Sequence, residues 1–125
     1  MPEQSRIICE RAFEFGSRIL KVGDRIYACG ASGRLVATQL MECGTSVGAN
    51  AEEAEEAQSK ADFIAKLSIS RKEARESSYW LRLAVKNEIV SAEDVKWELS
   101  EARQLLAMIR SAIRTARSSP DRGGY

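Results

Sequence analysis

The stretch DRIYACGASGRLVATQL, residues 24–40, decides the fold of this 125-residue chain. Its apolar start followed by GASGR is compatible with a strand that runs into a glycine-rich loop, where backbone N–H groups and a hydroxyl cradle a phosphate. The same letters are compatible with one helix that ends near Gly30 and another that begins after it. The first alternative predicts a sugar-phosphate or nucleotide binder, and the second leaves no obvious active site.

The residues upstream favour two helices. Apolar side chains recur there at steps of four and three residues, the period of one helical face, at Ile8, Ala12, Phe15, Ile19, Val22 and Ile26. Nothing downstream supplies further strands for a parallel sheet, and a lone glycine motif is weak evidence for a phosphate loop. We therefore predict a helix–turn–helix, in which Gly30 ends the first helix and Ser32 caps the second.

Two serine capping patterns indicate the starts of two more helices. Ser59 with Asp62 opens the third helix, and Ser91 with Asp94 opens the fourth. On the second helix the shared face is predicted to be Leu35, Gln39, Leu40, Cys43, Val47, Asn50 and Ala54. On the third helix it is Phe63, Leu67, Ser70, Ala74, Ser77, Leu81 and Ala84, and on the fourth it is Val95, Leu99, Ala102, Leu106, Ile109 and Ile113.

These patterns predict an all-α protein, an antiparallel up-down-up-down four-helix bundle that forms a single domain over residues 1–125. The helices are expected at about 5–29, 33–56, 60–88 and 92–117, with a frayed tail at 118–125. The interior holds no proline, since Pro2 and Pro120 lie near the ends. Helices of this length with short links suit such a bundle.

Composition argues against several classes of site. Histidine is absent, which removes the commonest general base and the commonest metal ligand. The three cysteines form no CxxC pair, so neither a disulfide framework nor a zinc site is indicated, and we predict no metal and no cofactor. Because the sequence shows neither a secretory signal nor a bilayer-spanning apolar run, we expect a cytoplasmic protein.

Residues 39–83 read QLMECGTSVGANAEEAEEAQSKADFIAKLSISRKEARESSYWLRL. The segment holds a Gln-Leu pair, a small-residue stretch with Ser and Asn-x-x-Glu, then Ser-Lys-x-Asp-Phe, and a Lys-Glu-x-x-Glu helix that ends near Tyr-Trp-Leu. These positions are Gln39, Leu40, Ser46, Asn50, Glu53, Ser59, Lys60, Asp62, Phe63, Lys66, Lys72, Glu73, Glu76, Tyr79, Trp80 and Leu81. In order and spacing the segment resembles the four-helix-bundle, ribosomal-protein-like family associated with intervening sequences of bacterial 23S ribosomal RNA genes.

The resemblance implies a left-handed antiparallel bundle that assembles into a ring-like homo-oligomer, a pentamer, and it implies no established activity. The same broad family includes accessory variability proteins of diversity-generating retroelements, which resemble basic pentameric bundles that bind RNA and a reverse transcriptase. This chain departs from that subgroup because its net charge is only +1. A basic surface is therefore not available on every side.

Charge is unevenly placed along the chain. From residue 42 to residue 62 six acids accompany one lysine, and from residue 103 to the end five arginines accompany one aspartate. Arg103, Arg110, Arg114 and Arg117 recur at steps of seven, four and three, so they share one helical face opposite the apolar stripe. This arginine face is a candidate nucleic-acid-binding surface. The alternatives are a solvated face or a contact with the acidic segment of a neighbouring subunit.

Polar residues lie on or beside the apolar stripes of the second and third helices. They are Gln39, Ser46, Asn50 and Glu53 on the second helix, and Lys66, Ser70 and Glu73 on the third. Because burying polar groups is costly unless they are hydrogen bonded, we predict an interhelical polar network that fixes register and subunit packing. A di-metal site at Glu53 and Glu73 is disfavoured, since bundles of that kind also use histidine.

Small residues are dense in the second helix, at Gly44, Thr45, Ser46, Gly48, Ala49 and Ala51. They let another backbone approach closely, although glycine lowers helix propensity. A tight helix contact is therefore predicted here, with a neighbouring subunit as one candidate partner.

The prediction for function is a non-enzymatic, homo-oligomeric binding or scaffolding protein. Its expected partners are copies of itself and a nucleic acid or another protein, with no membrane. The first alternative is an accessory nucleic-acid-binding subunit of a retroelement or ribonucleoprotein, which the basic fourth helix favours. The second alternative is a sugar-phosphate-binding enzyme that uses GASGR, and it would require a substantial β-sheet.

Overall fold

The computed structural model describes residues 3–120, which form four α-helices and no strand. They are α1 (Glu3–Tyr27), α2 (Gly30–Glu55), α3 (Lys60–Lys86) and α4 (Lys96–Ser118). The predicted all-α fold is confirmed, and the strand-and-phosphate-loop alternative is wrong because residues 24–27 belong to α1. The predicted frayed tail, 118–125, begins at the last residue of α4, and residues 121–125 lie outside the described part. No helix within residues 3–120 combines the length and apolar character needed to cross a bilayer.

Each helix runs antiparallel to the one before it in the sequence, which gives an up-down-up-down bundle. Helix α1 packs against α2 and α4, α2 packs against α3, and α3 packs against α4. Helices α2 and α4 therefore occupy diagonal corners of the bundle. The antiparallel pairing of α1 with α2 is visible in their contacts, since Gly16 lies beside Thr45 while Gly23 lies beside Met41.

The turn between α1 and α2 depends on two glycines. Gly30 has a φ of +83°, in the left-handed region that L side chains rarely adopt. A Cβ at Gly33 would collide with the backbone carbonyl oxygen of Ile26, so the two helix ends meet where a side chain has no room. The prediction that Ser32 caps α2 is wrong. The N-cap is Cys29, without a side-chain cap bond, and Ser32 lies inside the first turn.

The two predicted serine caps behave differently. Ser59 is the N-cap of α3, and its Oγ accepts a hydrogen bond of 3.1 Å from the Asp62 backbone N–H, as predicted. Ser91 accepts a similar bond of 3.0 Å from Asp94 N–H. That bond closes an isolated turn, however, because residues 92–95 are not helical and α4 begins at Lys96 rather than at 92. The link before α4 is anchored by the fully buried Val95.

The core is built from the predicted apolar stripes with one correction. All six predicted residues of α1 and all seven of α3 are buried. On α4 the stripe is confirmed at Val95, Ala102, Ile109 and Ile113, with Leu99 and Leu106 only partly buried. On α2, Leu35 is wrong, since it is 59% exposed. It precedes the buried Leu40 by five residues, which places it well round the helix, and Val36 and Ala37 fill the core instead.

The small residues of α2 bring α1 close within one chain. A Cβ added at Gly44 would lie 2.6 Å from Cγ2 of Ile19, and one added at Gly48 would lie 3.3 Å from the backbone carbonyl of Ala12. Both glycines are buried. The predicted tight helix contact is therefore an internal one between α1 and α2, and Ala49 and Thr45 remain at its outer edge.

Replacing Gly33 with alanine tests how the turn is built. We expect Gly33→Ala to lower the free energy of unfolding by about 2 kcal/mol, because backbone must move to relieve the collision with Ile26. Gly30→Ala is the matched control, since a Cβ there meets nothing within 4 Å; it should cost about 1 kcal/mol through φ alone. Urea unfolding of both variants measures the difference. A Gly33 variant as stable as the wild type would contradict this account.

Candidate interaction surfaces

The arginine face lies on the outer side of α4. Arg103, Arg110, Arg114 and Arg117 are all exposed. Within residues 3–120 none of the four lies within ion-pair distance of a carboxylate. Within that part of the chain the face is a row of four guanidinium groups without an ion pair, a surface suited to an anionic partner.

Lys60 fixes the C-terminal end of this face. Its Nζ donates hydrogen bonds to the backbone carbonyls of Arg117, at 3.0 Å, and Ser119, at 2.7 Å. The ammonium group therefore occupies the position at which a cation stabilises the end of a helix. This contact holds the end of α4 beside the start of α3.

The seven predicted polar residues are not joined into one side-chain network. Among the described contacts, Asn50 Nδ2 donates to the backbone carbonyl of Ser46 in its own helix, and Glu53 is exposed. The side chains of Gln39 and Lys66 are half-buried and form no hydrogen bond within residues 3–120. Among the described residues no hydrogen bond thus joins two of these seven side chains across the helices, and the one link from the seven to the opposite helix is made by Ser70.

That link connects α3 to the backbone of α2. The Ser70 hydroxyl, fully buried, donates to the carbonyl of Val47 at 2.6 Å. About two turns further along α3, the Ser77 hydroxyl donates to Sγ of Cys43 at 3.4 Å. The hydrogen bonds of these two buried serines therefore fix the register of α2 against α3.

A thiol and two carboxylates cluster beside this link. Ligand atoms of Cys43, Glu73 and Glu76 lie within 4.8 Å of one another. Burial raises the pKa of the Cys43 thiol to about 11, and burial, with Glu76 nearby, raises the pKa of Glu73. A thiol that stays protonated and donates to the carbonyl of Leu40 is a poor metal ligand, so the cluster is best explained by packing.

Helices α1 and α4 are joined by an ionic contact that the sequence patterns did not predict. The Arg11 guanidinium donates to both carboxylate oxygens of Glu101, at 2.6 and 2.9 Å, and to the side-chain oxygen of Gln104. One heptad along α1, Arg18 lies 3.5 Å from the carboxylate of Glu98. We call these two pairs the α1/α4 seam. Both glutamates are buried.

The seam also contains an aromatic contact, and a sequence signal for it exists. The Arg18 guanidinium carbon lies 4.3 Å from the centre of the Trp97 ring, a cation–π geometry. Arg11 and Arg18 are seven residues apart, beside the apolar stripe of α1. Glu98 and Glu101 are three apart beside that of α4. Two arginines beside one apolar stripe and two glutamates beside another are a sequence signal for a pairing between the helices, although the two spacings differ.

An apolar groove lies between α1 and α2 on the surface. It encloses about 460 Å³, and Phe13 and Leu20 on its rim are 72% and 47% exposed. Its lining is Ala12, Phe13, Gly16, Ser17, Leu20, Thr45, Gly48, Ala49 and Glu52. We call it the α1/α2 groove, and it exists because Gly16 and Gly48 carry no side chains.

The groove opens onto a concave acidic surface at the end of α2. This acidic end, of about 710 Å³, is lined by Glu52, Glu53, Glu55 and Glu56 together with Ala49. Ala49 and Glu52 line both surfaces, so groove and acidic end are continuous. The last turn of α2 carries no basic residue.

The sequence of the chain matches a known protein family. The family model for the 23S rRNA-intervening sequence protein matches residues 4–111. The chain belongs to the 23S rRNA-intervening sequence protein family. The resemblance seen in residues 39–83 is therefore confirmed and extends into the first and last helices.

A solved structure of a related protein shares the fold. The chain is similar to a protein of unknown function from the S23 ribosomal protein family of Bacteroides thetaiotaomicron VPI-5482, with 32% identity and a TM-score of 0.81. The alignment covers 89% of this chain and 98% of that one. No curated protein matches the chain. The two proteins thus share the fold over almost the full length of the solved chain.

Removing Arg11 tests the α1/α4 seam of this family member. We expect Arg11→Ala to lower the free energy of unfolding by about 2 kcal/mol, because the buried Glu101 carboxylate loses its partner. Arg6→Ala is the control, since Arg6 pairs with Glu3 and Glu10 on the open surface and should cost less than about 0.5 kcal/mol. Equal losses in urea unfolding would show that the seam does not stabilise the fold.

Proposed function

We propose that the chain works as a non-enzymatic, homo-oligomeric binding or scaffolding protein. The observation that carries this proposal is the α1/α2 groove, whose rim exposes Phe13 and Leu20 to solvent. Exposed apolar surface of this kind marks protein–protein contact sites. The family resemblance supports a ring of five subunits, and we place the protein in the cytoplasm.

The non-enzymatic part of the proposal has its own support. The chain has no histidine, and Cys43 is held as a thiol by burial. The GASGR stretch forms a helix–helix turn in which Gly33 packs on Ile26. The titratable groups that sequence and structure bring together are thus explained by packing.

A second candidate function is favoured by the arginine face. Four exposed arginines without an ion pair within residues 3–120 are suited to phosphate contacts. In this alternative the protein is an accessory nucleic-acid-binding subunit of a retroelement or ribonucleoprotein. The near-neutral net charge of +1 means that such a contact involves part of the surface rather than every side of the bundle.

Size-exclusion chromatography with light scattering tests both candidates together. The purified protein, run at low and moderate salt while absorbance at 260 nm is followed, should elute at a multiple of the 13.8 kDa subunit mass. Nucleic acid that co-elutes and is shed as salt rises would support the second candidate. A 13.8 kDa monomer would contradict the oligomer.

A further inference from the structure

Two oppositely charged surfaces lie at the same end of the bundle. Lys60 ties the end of α4 to the start of α3, and α3 follows directly on the acidic end of α2. The acidic end and the C-terminal half of the arginine face therefore lie at the same height along the bundle axis, that is, level with each other. They also lie on opposite sides, since α2 and α4 are diagonal.

The negative charges of the acidic end are not neutralised by ion pairs within residues 3–120. Glu52 and Glu56 stand four residues apart, a spacing at which like charges repel, and they lie at a helix C-terminus, where the macrodipole already disfavours anions. Within residues 3–120 none of the four glutamates forms an ion pair. A cationic surface supplied from outside would relieve this repulsion.

The levels of the remaining surfaces also match. Arg11 contacts Glu101, Gln104 and Met108, so α1 at this point is level with the middle of α4. Helices α1 and α4 are antiparallel, and Arg18 lies beside Glu98. The groove from Phe13 to Leu20 is therefore level with the first half of α4, where Ser100 and Arg103 are exposed. The groove and the acidic end thus follow one another in the same direction as Ser100–Arg103 and Arg110–Arg117 do on α4.

We propose that α4 of one copy of this chain docks in the α1/α2 groove of the next copy, with its arginines on the acidic end. The alkyl stem of Arg103 and the small Ser100 cover Phe13 and Leu20. The guanidinium groups of Arg110, Arg114 and Arg117 meet Glu52, Glu53 and Glu56. This inference rests on the proposed homo-oligomer and names its interface.

The contact is heterologous, because the two docking surfaces are different and lie on opposite sides of one subunit. Repetition of a heterologous contact closes into a ring when the rotation between copies divides a full turn. Since the matching surfaces share one level along the bundle, a rotation axis parallel to the helices brings them together without a shift. A two-fold dimer would instead require each surface to be self-complementary.

Charge reversal on each side tests the interface. The basic surface is reversed by Arg110→Glu with Arg114→Glu, and the acidic surface by Glu52→Arg with Glu56→Arg. Each pair should lower the mass measured by light scattering from that of the oligomer to 13.8 kDa. A variant that carries all four changes should recover the oligomer mass, because the pairing is restored with its signs exchanged.

The matched control is Arg75→Glu with Arg82→Glu, two exposed arginines of α3 that form no ion pair within residues 3–120. This control should keep the oligomer mass, and circular dichroism establishes that every variant is helical. Reversed pairs that keep the wild-type mass, or a four-change variant that stays monomeric, would overturn the interface and leave the oligomer standing. Nucleic acid lost from an Arg110/Arg114 variant of unchanged mass would overturn it in favour of nucleic-acid binding. A monomeric wild type would overturn both proposals.

Discussion

The close approach of α1 to α2 is the constraint on which the rest of this bundle depends. Gly44 and Gly48 leave no room for a side chain between the helices, and Ile19 and Ala12 occupy the space that a Cβ would need. Dispersion contacts at this separation are individually weak and collectively large. Gly33 extends the same contact into the turn, because its missing side chain lets α2 start against the Ile26 carbonyl.

The same absence of side chains shapes the surface. Gly16, Gly48 and Ala49 leave a groove on the outer side of the α1–α2 contact, and Phe13 stands on its rim with most of its ring in solvent. A helix pair that packs tightly inside therefore presents a recess outside. One compositional feature, small residues at helical spacing, links internal packing to a surface suited to association.

The opposite side of α1 is held by charge. Arg11 and Arg18 pair with Glu101 and Glu98 of α4, and both carboxylates are buried. A buried pair adds little net stability compared with apolar packing, yet loss of one partner is costly. The α1/α4 seam, together with Lys60, thereby sets the height of α4 against the other helices, and so the level of its arginines.

Much of this fold could be predicted from periodicity, because α1 and α3 each bury one continuous stripe, and the stripe of α3 includes Ser70 and Ser77. The start of α4 could not, since the Ser91–Asp94 hydrogen bond forms as readily in an isolated turn as at a helix start. The predicted polar network depended on distances between helices, which a period does not contain. Ser70, the member of that predicted network that reaches the opposite helix, bonds to backbone rather than to a polar side chain.

The outward arginines of α4 were predictable from spacing alone, and their exposure agrees with it. Their partner was not, because the choice between a phosphate and a carboxylate of another copy depends on which surfaces share a level. Those levels follow from the contacts of Arg11 and Lys60. Neither Arg11 nor Lys60 belongs to a site that the sequence predicted.

The most direct test of the heterologous contact between α4 and the acidic end of the next copy is a zero-length cross-link between copies. Arg110→Lys and Arg114→Lys keep the positive charge of α4 and supply amines that a carbodiimide couples to a carboxylate in contact. In a mixture of ¹⁵N-labelled and unlabelled protein, the account predicts mixed-isotope cross-links between α4 and residues 52–56, identified by mass spectrometry. Cross-links from α4 confined to one chain, or directed at other surfaces of the neighbour, would contradict it.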